Sequence, residues 1–170
     1  MTKDANIAAF VSLALTIGLC HQVTADDQFD PQQFISDKYV VILGSYKDFL
    51  KARGRAESIS KSSKVRFSMY GRIFDPKRGL ILPDDSPDSI YARSYVHRRY
   101  NTAASDSEAE SEFISIERSE VYHGFAPGYY IIIIGIFDAP GEATKSVKQF
   151  SPTVPDAYSK KTRIYMGCIH

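Results

Sequence analysis

Between residues 39 and 166 the apolar positions change period in an order that occurs twice. Residues 39–43 form a short unbroken apolar run closed by Gly44, the pattern of a central strand buried on both faces. From residue 48 to 60, Phe49, Ala52, Ala56 and Ile59 recur at helical spacing among Lys51, Arg53, Arg55 and Glu57. Residues 65–73 then alternate Val65, Phe67, Met69 and Ile73 with Arg66, Ser68, Tyr70 and Arg72, which predicts a half-buried strand. A second strand, helix and strand are predicted over 129–134, 140–150 and 157–166. There Pro140 falls in the first helical turn, where a missing N–H matters least.

The two series overlay without a gap. Tyr39 meets Tyr130, Gly44 meets Gly135, Ala52 meets Ala143, and Arg72-Ile73 meets Arg163-Ile164. Aromatics exchange with aromatics: Tyr46 with Phe137, Phe67 with Tyr158. Such a register implies two copies of one β-α-β unit. Written twice, that unit predicts an α+β, ferredoxin-like fold, a four-stranded antiparallel sheet with both helices on one face. The core would be residues 38–74 and 129–167. Residues 75–128 are too long for an ordinary connection and are expected to be an inserted subdomain. Within it, 113–121 alternates Phe113, Ser115 and Glu117 with Ile114, Ile116 and Arg118, as an additional strand would.

Ahead of the repeat, residues 7–19 form an apolar run after Lys3 and before Val23-Thr24-Ala25, a small-residue cleavage pattern. Spanning a bilayer takes about 20 apolar residues. Residues 1–25 are therefore expected to be a removed export signal, leaving one domain over 26–170, periplasmic or secreted, with no membrane association thereafter. Cys168 would then be the only thiol left, so no internal disulfide is expected.

Lysines and arginines number 21 against 20 acids, so net charge does not suggest nucleic acid. No metal-ligand spacing, phosphate-cradling loop or placeable catalytic triad is present, and no cofactor is implied. The acids of 106–112 lack a partner carboxylate across a definable cleft, which leaves glycosidase chemistry unsupported. The expectation is a binding protein, not an enzyme.

The string Tyr39-Val40-Val41-Ile42-Leu43-Gly44-Ser45-Tyr46, followed by a helix and echoed at Ile133-Ile134-Gly135-Ile136-Phe137, resembles the sporulation-related repeat, or SPOR, domain. The resemblance covers 39–74 and 130–166 and implies a double β-α-β fold that binds peptidoglycan glycan strands stripped of peptides. By that resemblance Ser45 is the motif serine and Tyr46 the motif aromatic; the polar residue the family places two before the glycine is Ile42 here.

That departure has a consequence for the sheet. If Val41, Leu43, Ile132 and Ile134 meet the helices, Val40, Ile42, Ile131 and Ile133 point to the face where the family holds glycan. Four central aliphatics would form an exposed patch, so the insertion or a partner should cover them. On the flanking strands the same reading places Arg66, Ser68, Tyr70, Arg72, Ser159, Lys161 and Arg163 on the open face. Guanidinium groups suit the lactyl carboxylates of stripped glycan, and tyrosine rings suit its sugar faces. The ligand-binding residues expected are thus Ser45, Arg66, Tyr70, Arg72, Lys161 and Arg163. In the insertion, Tyr91, Arg93, Tyr95 and His97 would share one face of an extended segment and form a possible interface. The partner expected is peptidoglycan glycan or an envelope protein. The alternative function is a secreted inhibitor, immunity protein or interaction module that binds a wall-degrading enzyme.

Overall fold

A computed structural model describes residues 34–82, 95 and 112–166. Among the described residues the chain is α+β: a four-stranded antiparallel sheet with the two helices α1 and α2, and a separate two-stranded hairpin. In chain order the elements are β1 (Ile35–Tyr46), α1 (Phe49–Ser63), β2 (Ile73–Asp75), β3 (Gly79–Ile81), β4 (Ser115–Arg118), β5 (Tyr130–Phe137), α2 (Pro140–Phe150) and β6 (Tyr158–Tyr165). The large sheet runs β4-β5-β1-β6, and β2 pairs with β3.

Each helix begins where the sequence supplies a start. Asp48 caps α1, its carboxylate accepting from the Lys51 N–H at 2.8 Å. Pro140 opens α2, and its φ suits a first turn. Their buried residues, Phe49, Ala52, Ala56, Ile59, Ala143 and Phe150, pack with Val41, Leu43, Ile132 and Ile134 on one face of the sheet.

The opposite face is filled as well. Val40, Ile42, Ile131 and Ile133 are at most 2% exposed, in one cluster with Tyr95, Phe113, Tyr122, Ile136 and Ile164. Three of these aromatics come from the segment between the two halves, so that segment supplies the cover the aliphatics require. The sheet is sandwiched between a helix layer and an aromatic layer.

The two glycines of the repeat have a shared local cause. Along β1 and β5 the pairing runs Val41↔Gly135, Ile42↔Ile133, Gly44↔Ile132, which leaves Ile134 and Leu43 as extra residues in two bulges. A Cβ on Gly44 would lie 2.9 Å from the ring of Tyr46, and one on Gly135 would lie 2.7 Å from that of Phe137. Each bulge thus lets the aromatic two residues on fold back over the glycine. The bulge at Ile134 also releases its carbonyl from the ladder with β1, and the Tyr95 hydroxyl meets that oxygen at 2.6 Å.

The expectation that 65–73 is a strand of this sheet fails. α1 ends on Lys64 in the left-handed region (φ 61). Phe67 then makes an isolated parallel bridge to Ile114, with Ser68 N–H donating to the Ile114 carbonyl at 2.9 Å. At Tyr70 (φ 50) and Gly71 (φ 71) the chain turns back, and Arg72 N–H closes the turn on the Met69 carbonyl at 3.1 Å. The place beside β5 is taken by β4, with Ser115↔Ile133 through Arg118↔Tyr130 in register. Val65, Phe67 and Met69 still pack against the helix-side core, so their alternation reports burial, while the only pairing of the segment among the described residues is the single bridge at Phe67. The two halves correspond through strand and helix; their closing strands do not.

Gly135→Ala should cost about 1–3 kcal/mol by overpacking against Phe137. In urea denaturation the double variant Gly135→Ala/Phe137→Ala should be less destabilised than the sum of the two singles, by at least about 0.5 kcal/mol. Additivity would mean that the ring over the glycine is not the constraint.

Candidate binding surface

The residues expected to grip a ligand are not brought together. Ser45 is exposed at the end of β1 opposite Ile131. Lys161 pairs with Tyr39 on the other neighbour of β1. Ser45 is six positions along the strand from Tyr39, roughly 20 Å at about 3.3 Å per residue. Lys161 also lies on the helix side, its ammonium 2.6 Å from Asp37, whereas Lys160, Thr162 and Ile164 face the aromatic layer. Arg163 is exposed, with its guanidinium 3.3 Å from the His123 imidazole.

Arg66 and Tyr70 do form a unit. The Arg66 guanidinium donates to the Tyr70 hydroxyl at 3.1 Å and lies 5.6 Å from that ring's centroid and 5.7 Å from that of Phe113. This cation sits on the aromatic layer, at the turn where Tyr70 is held at positive φ.

Arg72 is not a surface residue. It is 9% exposed and Glu117 is 1% exposed, and both terminal guanidinium nitrogens donate to the carboxylate, at 3.0 and 3.1 Å. The same side chain donates to the Ser115 hydroxyl and the Ile116 carbonyl, each at 2.9 Å, and to the Met69 carbonyl at 3.2 Å. Ser115 in turn donates to Glu117 at 2.7 Å. Such a network joins the turn after Phe67 to β4. Glu117 had no role assigned from sequence, although a carboxylate alternating with Phe113 and Ser115 on one side of a strand signals a buried partner.

Tyr95 is buried completely, with its hydroxyl against the Ile134 carbonyl and 3.0 Å from that of Phe113. It is a core residue, not part of an exposed row. Tyr91, Arg93, His97 and the acids of 106–111 lie outside the described residues, as do residues 1–25 and Cys168.

Electrostatics on the rim are local. Backbone N–H groups of Arg78 and Lys77 hold the Asp75 carboxyl below its ordinary range. Arg118 does the same to Glu120 by a direct side-chain hydrogen bond, against some desolvation, and is itself raised by that bond. Asp37 raises the Lys161 ammonium. Among the described residues no group of three or more His, Cys, Asp or Glu side chains could hold a metal, and no helix is long and apolar enough to cross a membrane. No family model matches the chain, and neither a curated protein nor a solved structure does.

Arg72→Ala takes the bidentate guanidinium away from a carboxylate that is 1% exposed, so it should destabilise folding by about 3–5 kcal/mol. Arg163→Ala, at an exposed site, should stay within about 0.5 kcal/mol of wild type. Chemical denaturation of both variants checks the contrast. For Asp75 and Glu120, folded pKa values lie below the unfolded ones, so their contributions are present above the ordinary carboxylate range and are lost as pH falls through the folded values. Acid unfolding should therefore begin below about pH 4.5. Asp75→Asn/Glu120→Gln should flatten that limb, and an unchanged slope counts against these two groups.

Proposed function

We propose that the chain is an exported, non-catalytic binding protein of the cell envelope, and that its partner is a protein in preference to peptidoglycan glycan. One observation carries the choice. The sheet face that the SPOR resemblance would assign to glycan is occupied by the protein's own Tyr95, Phe113 and Tyr122 over Val40, Ile42, Ile131 and Ile133. A sugar chain cannot reach those strands without displacing a packed core, while tyrosines and cations on the rim stay accessible. The inhibitor or immunity reading is one form of such a protein-binding role. The ferredoxin-like, SPOR-like ancestry of the core stays part of this proposal, supported by the paired glycine bulges and the two helices on one face.

Sedimentation with isolated sacculi, with and without amidase pretreatment to strip peptides, tests the choice. The mature chain should stay in the supernatant in both cases. Pelleting that increases with stripping would restore glycan as the ligand, and Arg66 with Tyr70, not Arg72, would then be the first grip to remove.

A further inference from the structure

We propose that the outer edge of β6 accepts an extended acidic segment of a partner protein as a fifth strand, an inference that rests on the protein-partner reading above. β6 closes one end of the sheet order, and among the described residues no strand pairs with its far side. Alternate residues of an edge strand direct both N–H and C=O outward, so among the described residues this edge is an unfilled ladder. It is also regular. All eight residues of β6 pair with β1 from Ile35↔Tyr165 to Ile42↔Tyr158 with no shift, in contrast to the doubly bulged pairing of β1 with β5. The other end of the sheet offers no equal template: β4 has four residues, the Phe67–Ile114 bridge extends alongside it, and the Arg72 guanidinium takes the Ile116 carbonyl.

Side chains along β6 specify the occupant. Tyr158 and Tyr165, at its two ends, are 45% and 44% exposed, and aromatic anchors of this kind are enriched at protein interfaces. Lys160, Lys161 and Arg163 lie between them, with Asp37 offsetting Lys161. A second copy is a poor occupant. Antiparallel self-pairing about the middle of β6 sets Lys160 or Lys161 directly opposite Arg163, and like charges opposite each other destabilise a sheet. A strand bearing carboxylates at alternate positions passes positions 161 and 163 in turn and pairs with the Arg163 guanidinium, which is exposed and lies 3.3 Å from the His123 imidazole. Main-chain bonds would supply affinity and the charges would supply direction and selectivity, as in other cases of strand addition.

Amide hydrogen exchange of the whole chain tests this, with a synthetic peptide alternating Glu and Thr as the probe and one alternating Lys and Thr as the control. Exchange of outward-facing amides within 158–165 should slow roughly tenfold with the acidic peptide, equivalent to about 1.4 kcal/mol, and not with the basic one. Arg163→Gln should weaken that protection and Arg163→Glu should abolish it, while protection of β5 stays unchanged as the control for folding. Equal effects of the two peptides, or none on β6, overturn the proposal. So does concentration-dependent protection of β6 without peptide, which would make a second copy the occupant. Failure here with no sacculus binding leaves the protein-partner reading in place and removes only the edge; pelleting with stripped sacculi removes the reading itself.

Discussion

A sheet whose two central strands are aliphatic on both faces has to be covered twice, and the rest of this structure follows from that. β5 buries every residue from Ile131 to Ile136, and β1 buries Val40 through Leu43. α1 and α2 cover one side. Leaving Val40, Ile42, Ile131 and Ile133 in water would forfeit about 1.5–3 kcal/mol each, a sum comparable to the about 5–15 kcal/mol that separates a folded domain from its unfolded chain. Cover on the second face is therefore a condition of folding. The segment between the halves provides it with Tyr95, Phe113 and Tyr122, stacked or tilted on their aromatic neighbours. The same cover takes the central strands of that face out of contact with solvent.

Periodicity made the helices and the four sheet strands legible, β4 as the additional strand expected over 113–121, because those elements turn one definable side to a core. It also pointed to the cover, since Ile42 stands where a polar residue would leave the face open. Pairing was not legible. Val65, Phe67 and Met69 alternate as a strand does and are partly buried as expected, yet a left-handed turn at Tyr70-Gly71 ends the segment and β4 takes its place. Alternation records which side chains are buried and is silent on which neighbour receives the hydrogen bonds.

The site residues were less legible for related reasons. Arg72 was placed in a solvent-facing row by parity within a strand that does not form. Its burial follows from the turn, which brings it to Glu117 from the far side of β4. For β6 the parity was sound, but the choice of side was not. Ile164 faces the aromatic layer, so Lys160 and Thr162 share that side while Lys161 projects over the helix side beside Asp37. The one apolar member of the alternating set carried that information. At the glycines a bulge adds a residue to each central strand, and a count by twos cannot pass through it without losing register.

The Arg72–Glu117 pair shows how a chain can replace a strand with a polar clasp. A buried ion pair adds little over well-packed apolar residues of the same volume, because desolvation offsets the attraction. Its value lies in direction. A tyrosine in the left-handed region costs about 1–2 kcal/mol, and nothing in the apolar packing of Phe67 and Met69 fixes where the next residues go. Arg72 bonds the Met69 carbonyl behind it and Ser115, Ile116 and Glu117 ahead of it, so the turn is closed on one side and moored to β4 on the other. Any alternative path for 69–72 would leave Glu117 without this partner inside the protein. The penalty for a wrong path is thus larger than the strain of the right one, and that difference holds the excursion, and through Phe113 the aromatic layer beside it, in a single arrangement.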